Sequence, residues 1–349
     1  MRNLYLSNRP VSYRMDFCRS LSRELDCEIC FQEGFPVKPG MTGKIDPETT
    51  GNKGFTARRW TLQSLPSLLA AFRPRLVFVP EFSAAAVLCL FLRKKYGYKV
   101  ISTCDDSLDM IQGHDFGWKH RLARRFIPSK LDEIILHSPF VRDWYRERFG
   151  KGLLMPIIAD ERRIRPDLER VLPLSEQLRP SPKPIVAFVG RLVGLKNVPV
   201  LLRAFEPLRN RAQLVIIGDG PERAALEAQA PEGTLFTGML VGDELLAWYN
   251  LIDILVLPST QEAYGAVTGE ALMAGARVIV SRKAGSSDLV REGEKGFVVD
   301  PSDVPGLTDH IRQLLDVLPV NRPLCLRENL LPYQFEGNMQ ALLKEINSL

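Results

Sequence analysis

Two short apolar runs, Ile254-Leu-Val-Leu-Pro258 and Arg277-Val-Ile-Val-Ser281, flank a glycine-bearing loop and a helical stretch, Glu270-Ala-Leu-Met-Ala274, that Gly275 closes. Strand, loop, helix and strand within so few residues form a parallel pair with a right-handed crossover, because twisted strands let the helix pack back only that way. Gly275 suits the helix end, where a residue without Cβ enters the left-handed backbone region at little cost. The segment therefore predicts a βαβ unit of a doubly wound sheet. It also predicts where a ligand sits. In such sheets ligands lie beyond the carboxyl ends of the strands, where loop amides and a helix N-terminus attract phosphate. Glu262 and Glu270 fall at that edge, eight positions apart. A carboxylate repels a phosphate, but it accepts hydrogen bonds from the hydroxyls of a sugar or ribose. The plain alternative is an acidic loop with no such role.

The same alternation runs through the rest of the chain. Apolar runs at 3–6, 76–79, 99–102 and 133–136 are separated by helical patterns such as that of 15–25, so the first half predicts a second α/β sheet. A chain of 349 residues exceeds what one hydrophobic core usually supports. Two domains are expected, 1–180 and 181–331, with Pro180-Ser-Pro-Lys-Pro184 as the linker. The stretch 34–57, rich in Gly, Pro, Thr and Lys, reads as a mobile loop.

Composition narrows the class. The chain is 45% apolar and 25% charged, as ordinary globular proteins are. Its longest lipid-like run, Phe82-Ser-Ala-Ala-Ala-Val-Leu-Cys-Leu-Phe-Leu92, falls short of the roughly 18 residues that span a bilayer. The N-terminal Met1-Arg-Asn-Leu-Tyr-Leu-Ser-Asn-Arg9 has too short an apolar core for a signal peptide, so a cytoplasmic location is expected. Cys27 and Cys30 have redox-like spacing but fall inside an apparent strand, which suits buried thiols better than a redox pair. The four histidines lack metal-ligand spacing, and no metal site is expected. Residues 1–180 hold 30 Lys and Arg against 21 Asp and Glu, whereas 181–349 hold 16 against 20. The basic half suggests an anionic partner. Gly117-Trp-Lys-His-Arg-Leu-Ala-Arg-Arg-Phe-Ile127 mixes aromatics with cations as interfacial helices do, although a solvated helix whose Trp118 and Phe126 face the core fits equally. No recognised module supports nucleic-acid binding.

Three further motifs cluster in the second half. Pro184-Ile-Val-Ala-Phe-Val-Gly190-Arg191-Leu-Val-Gly-Leu-Lys196 is a strand running into a glycine turn with two cations. Leu214-Val-Ile-Ile-Gly218-Asp-Gly-Pro-Glu222 is a strand, a glycine turn and a helix start, with Pro221 in the first helical turn. It lacks the three-glycine spacing of a dinucleotide fingerprint. Leu235-Phe-Thr-Gly238-Met239-Leu240 is a short strand and loop. In Asp243-Glu-Leu-Leu-Ala-Trp-Tyr-Asn250, an amphipathic helix, Leu245, Leu246 and Trp248 read as core.

With these neighbours, the Glu, seven residues, Glu pattern after Pro258-Ser259 closely resembles the donor-binding domain of retaining GT-B glycosyltransferases of family 4. The resemblance covers about residues 185–305 well and the N-terminal half loosely. It implies two doubly wound Rossmann-like domains facing across a cleft, the first completed by a C-terminal helix within 332–349. It implies a donor of the nucleoside diphosphate sugar type, UDP foremost, with no cofactor and no metal. Arg191 and Lys196 would grip the diphosphate, Glu262 the hydroxyls of the donor sugar and Glu270 those of the ribose. Gly190, Gly218, Gly238, Met239 and the backbone of Ala263, Tyr264, Gly265 and Ala266 would line the donor. Leaving-group charge is the physical need: two fixed cations at about 4 Å would each contribute roughly 4 kcal/mol at an effective dielectric near 20, and more as the bond breaks. The departing phosphate would itself take the acceptor's proton.

The opening Pro10-Val-Ser-Tyr13-Arg14-Met-Asp-Phe-Cys-Arg-Ser-Leu21 resembles that of bacterial exopolysaccharide members of this family. That resemblance implies a glycan or lipid-linked acceptor and places Tyr13 and Arg14 at the interdomain cleft; the basic first half would allow a peripheral position on the inner face of the membrane. Two departures stand out. Many members carry a His-Asp pair after the strand at 99–102, where this chain has Ser102-Thr-Cys-Asp105-Asp106-Ser107. Either the role passes to Asp105 or another group, or acceptor chemistry differs. A second glycine expected beside Gly285 is Ala284. Asp105-Asp-Ser-Leu-Asp109 alone would also fit a metal-carboxylate motif of the other glycosyltransferase fold. Two rival functions remain, a nucleotide-sugar epimerase or phosphorylase of the same architecture, and a non-catalytic scaffold that binds nucleotide sugar.

Overall fold

A computed structural model describes residues 2–8, 10–34, 57–112, 117–293, 295–318 and 322–349. The chain divides into two compact units, Met1–Ile157 with Glu336–Leu349, and Ile158–Phe335. Most of the 34–57 stretch, namely 35–56, and His114 lie outside the described residues.

The first unit is built on seven strands, β1 (Asn3–Ser7), β2 (Cys27–Gln32), β3 (Ala57–Trp60), β4 (Leu76–Pro80), β5 (Lys99–Cys104), β6 (Glu133–Leu136) and β7 (Leu153–Leu154). They form one parallel sheet in the order β3-β2-β1-β4-β5-β6-β7. The second unit holds β8 (Ile185–Val189), β9 (Gln213–Ile217), β10 (Leu235–Gly238), β11 (Ile254–Leu257), β12 (Arg277–Ser281) and β13 (Gly296–Val299). These pair in parallel in the order β10-β9-β8-β11-β12-β13. Both are doubly wound α/β sheets: the winding reverses between β1 and β4 in one and between β8 and β11 in the other. Every residue of β1, β4, β8 and β11 is buried, as strands covered by helices on both faces must be. Cys27 and Cys30 are buried in β2, and burial pushes the Cys30 thiol up to about 12. A thiol in that state is a poor nucleophile and serves the core.

The boundary lies earlier than the sequence suggests. Residues 158–180 belong to the second unit, and Pro180-Ser-Pro-Lys-Pro184 is the lead into β8 rather than a linker. Side-chain bonds explain why. The helices Glu161–Arg170 and Leu172–Leu178 pack on Gly242–Leu251, where buried Asn250 donates to the Leu168 carbonyl at 2.7 Å and the Ser175 hydroxyl at 3.3 Å. Arg165 adds bonds to the carbonyls of Met273 at 3.1 Å and Arg327 at 2.6 Å. The C-terminal helix, Phe335–Asn347, returns to the first unit. It buries Met339, Leu342 and Ile346, and Arg146 meets Glu345 at 3.3 Å. Two helix starts also shift. The helix expected at Glu270 begins at Ala266, and the one expected at Pro221 begins at Arg223, so Pro221 lies in the preceding turn.

Candidate active site

In the second unit, the loops after β8 and β11 flank the point where the winding reverses. Diverging connections leave a crevice there at the carboxyl edge. The two loops are stitched together. The Thr260 amide donates to the Leu195 carbonyl at 2.9 Å, and the Asn197 side chain donates to the carbonyls of Pro258 at 3.1 Å and Pro301 at 2.7 Å. Asn197 adopts the left-handed region (φ +55°), which turns the chain from the Lys196 loop into the helix Val198–Phe205. This stitching brings Lys196 and Glu262 into direct contact, Nζ to Oε2, and Ser259 Oγ approaches the same oxygen at 3.4 Å. Both charges are largely shielded, with side chains 21% and 15% exposed. Arg191 is half-buried in the same β8 loop and has no ion-pair partner among the described residues.

Glu270 sits one turn inside the helix Ala266–Met273, where the buried Tyr249 hydroxyl donates to its Oε2. Burial pushes the Glu270 carboxyl up, and the Tyr249 bond opposes that shift. Its other oxygen can accept from a ligand hydroxyl. Tyr249 was legible from sequence only as part of a helix face; its hydroxyl crosses to Glu270 through tertiary packing.

The backbone between these groups is tightly fitted. Gly265 has φ +93°, and a Cβ there would lie 2.7 Å from Leu257 Cδ2 and 3.0 Å from Ser286 Oγ. Among the described residues no side chain caps the helix that follows, and its Thr268 amide donates to the Gly265 carbonyl at 3.0 Å. The Ser286 amide donates to the Tyr264 carbonyl at 2.8 Å, and the Gly285 amide to the Glu262 carbonyl at 3.3 Å. Ala284 sits in extended backbone at φ −93°, so the missing glycine costs no strain. On the other flank, a Cβ at Gly218 would fall 1.9 Å from the Gly190 carbonyl oxygen, so these two expected lining glycines touch through backbone. Gly238 continues that seam, its carbonyl accepting from the Gly218 amide at 2.8 Å, and Met239 beyond it is exposed.

In the first unit, Arg14 opens the helix Met15–Glu24 and its guanidinium contacts Asp105, just past β5. His137, just past β6, completes the cluster: its Nε2 lies 2.9 Å from Asp105 Oδ1 and its Nδ1 lies 2.7 Å from the Met155 carbonyl. A carbonyl only accepts, so Nδ1 carries a hydrogen. Burial pushes the Asp105 carboxyl up, but Arg14 and then His137 outweigh it and hold the group below the ordinary carboxylate range. An imidazole therefore stands beside Asp105, supplied by the next strand. Tyr13 is half-buried, its ring centroid 6.0 Å from the Arg14 guanidinium. Asp106 faces elsewhere. Its carboxylate accepts from Arg124 Nε and from the Tyr145 hydroxyl, each at 2.9 Å, and anchors the helix Trp118–Phe126.

Comparison with known proteins follows the same division. Residues 183–317 match the family described as Glycosyl transferases group 1. A GDP-mannose-dependent alpha-(1-6)-phosphatidylinositol monomannoside mannosyltransferase of Mycolicibacterium smegmatis is 29% identical over 67% of this chain and 66% of its own length. A GDP-mannose-dependent alpha-mannosyltransferase of Corynebacterium glutamicum is 39% identical over 53% of this chain and 42% of its own. The chain thus spans less than two thirds of these relatives. Among solved structures, sucrose-phosphate synthase of Thermosynechococcus elongatus superimposes with TM-score 0.74 at 17% identity, covering 100% of this chain and 98% of that one. Anabaena HepE, solved with UDP-glucose, gives 0.77 at 16% identity with both chains fully covered at 100%. These two carry the GT-B fold. Residues 183–317 thus form a domain that matches the glycosyl transferases of group 1, on the fold these neighbours share.

Proposed function

We propose that this protein is a metal-independent, retaining glycosyltransferase that moves a sugar from a nucleoside diphosphate to a hydroxyl of a glycan or lipid-linked acceptor in bacterial surface polysaccharide synthesis. The observation that carries the reading is the meeting of Lys196 and Glu262 at the reversal point of a group 1 domain, with Glu270 half-buried on the helix that follows Gly265. Arg191 and Lys196 stabilise the charge that grows on the departing diphosphate, an interaction strongest in the transition state. Glu262 orients the donor sugar's hydroxyls and Glu270 those of the ribose, while the amides after Gly265 face the donor. In the first unit, Arg14, Asp105, His137 and Tyr13 serve the acceptor. The leaving phosphate takes the acceptor's proton, so no protein base is needed.

We take UDP as the nucleotide. The relatives named as GDP-mannose-dependent make GDP its competitor. The protein works in the cytoplasm, peripherally at the membrane; among the described residues no helix is long and apolar enough to cross one. Transfer rates for Lys196→Ala and Glu262→Gln test the roles. Each is expected to lose more than about tenfold in turnover, a loss of about 1.4 kcal/mol or more of transition-state stabilisation. Retention of most activity in both would remove the assignment. Donor incubated without acceptor tests the rival enzymes, since isomerised sugar or free sugar phosphate would favour an epimerase or phosphorylase.

A further inference from the structure

The amino edge of the second sheet, opposite the loops of the candidate active site, carries an excess of positive charge. Asp253 is buried there, immediately before β11. Its Oδ2 accepts from the Ile185 amide at 2.9 Å, which ties it to the start of β8. Its Oδ1 meets two arginines of the segment that leads to the C-terminal helix, Arg322 Nε at 2.9 Å and Arg327 Nη1 at 3.7 Å. Both arginines are shielded, with side chains 14% and 12% exposed. Two more brace the same segment through its backbone. Arg179 Nη2 donates to the Arg322 carbonyl at 3.0 Å, and Arg165 Nη1 to the Arg327 carbonyl at 2.6 Å. Four arginines thus gather about one carboxylate, and among the described residues none of the four pairs with another acid.

Both charge and hydrogen bonding are left incomplete. Arg322 Nη1 and Arg327 Nε are buried and have no hydrogen-bond partner among the described residues. The third nitrogen of Arg327, Nη2, donates to the Tyr249 carbonyl at 2.9 Å. Burial and the nearby Arg322 pull the Arg327 guanidinium down to about 9 against the attraction of Asp253, and Arg277 at the start of β12 adds to the repulsion. Packing fixes the root of this side chain: a Cβ on Gly275 would lie 2.4 Å from Arg327 Cβ. A buried cation without a counter-charge is strongly disfavoured. A water accepts the two orphaned hydrogens but leaves the charge.

We propose that this cluster binds a small oxyanion of the phosphate class, which accepts from Arg322 Nη1 and Arg327 Nε and supplies the second negative charge. Guanidinium N–H groups are fixed in a plane and match the oxygens of a tetrahedral oxyanion better than a spherical halide. The site lies at the opposite edge of the sheet from Lys196 and Glu262, and it does not depend on the transferase reading.

Calorimetric titration of the full chain with inorganic phosphate tests it, at constant ionic strength set by sodium chloride. The expected result is saturable binding that weakens at least about tenfold in Arg327→Gln and persists in Lys196→Ala. The two variants separate this site from the crevice at the other edge, where phosphate could meet Lys196. A cooperative melting transition confirms that Arg327→Gln is folded; if it is not, Arg322→Gln replaces it. A second readout needs only the wild type. Cys325 lies between the two arginines in sequence, is exposed, and is close enough to Arg327 to act on its charge, while the other five cysteines are buried. The positive field of the cluster favours alkylation of Cys325 by anionic iodoacetate over neutral iodoacetamide, and saturating phosphate should lower that ratio of rates at least about twofold. Absence of saturable binding overturns the proposal and leaves water at the two nitrogens. Binding that survives the arginine variant or is lost in Lys196→Ala, or a ratio of rates that phosphate leaves unchanged, overturns it equally.

Discussion

A lysine and a carboxylate in contact cancel much of each other's field; on the proposed reading a diphosphate sugar would divide the Lys196–Glu262 pair between phosphate and hydroxyl. The spacing of Glu262 and Glu270 pointed to both carboxylates from sequence, because that spacing is local. His137 was not found that way. In the sequence it is one polar residue after an apolar run, and its partner Asp105 follows another strand. Only the parallel pairing of β5 with β6 brings the two edges together. Asp288 was missed for a different reason. Both of its carboxylate oxygens are buried with no side-chain or backbone partner from another residue among the described residues, and burial, opposed only by its own backbone amide, pushes the group from 3.8 up to about 7. The folded state therefore holds this proton more tightly than the unfolded chain. Its stabilising contribution is complete below the ordinary carboxylate range and is lost as pH rises from there through about 7. Asp288→Asn should flatten that loss and raise unfolding free energy by roughly 2 kcal/mol at about pH 8. Denaturant unfolding across the range checks it, and equal pH slopes in both proteins would contradict it.

Among elements, the strands were the most legible, since a strand buried on both faces must be a short apolar run and each such run became one. Helix starts were less so. Glu270 looks like a first-turn acid, but the helix begins at Ala266 because Gly265 alone can make the turn. Gly265→Ala should force both Leu257 and the loop that holds Glu262 to move, on top of the strain of a positive φ. The expected result is a folded protein with donor affinity reduced at least about tenfold, read by calorimetry. Unchanged affinity would mean that this loop does not shape the donor site. The helices at 161–178 were placed on the wrong side of the boundary because their sequence is largely polar. Their attachment rests on Asn250 and Arg165, contacts that span 75 residues or more. Pro180-Ser-Pro-Lys-Pro184 looked like a hinge because proline resists regular structure anywhere, including just before a strand.

For the molecule as a whole, two sheets of the same winding carry opposite balances of charge, with the basic excess in residues 1–180. Cationic side chains gather on the helices Ala84–Tyr96 and Trp118–Phe126 of the first unit, while the second unit places the Lys196–Glu262 pair at the carboxyl edge of β8 and β11. This division suits a chain that meets an anionic acceptor or membrane with one unit and grips a nucleotide sugar with the other. The grip is the central claim, and it is a claim about a diphosphate. The most direct measurement is calorimetric binding of UDP against UMP, with GDP and GMP in parallel, to the wild type and to Lys196→Ala. The account predicts that the wild type prefers one diphosphate over its monophosphate by at least about tenfold and that Lys196→Ala erases most of that preference. A Lys196→Ala protein that folds normally and keeps the full preference would contradict it.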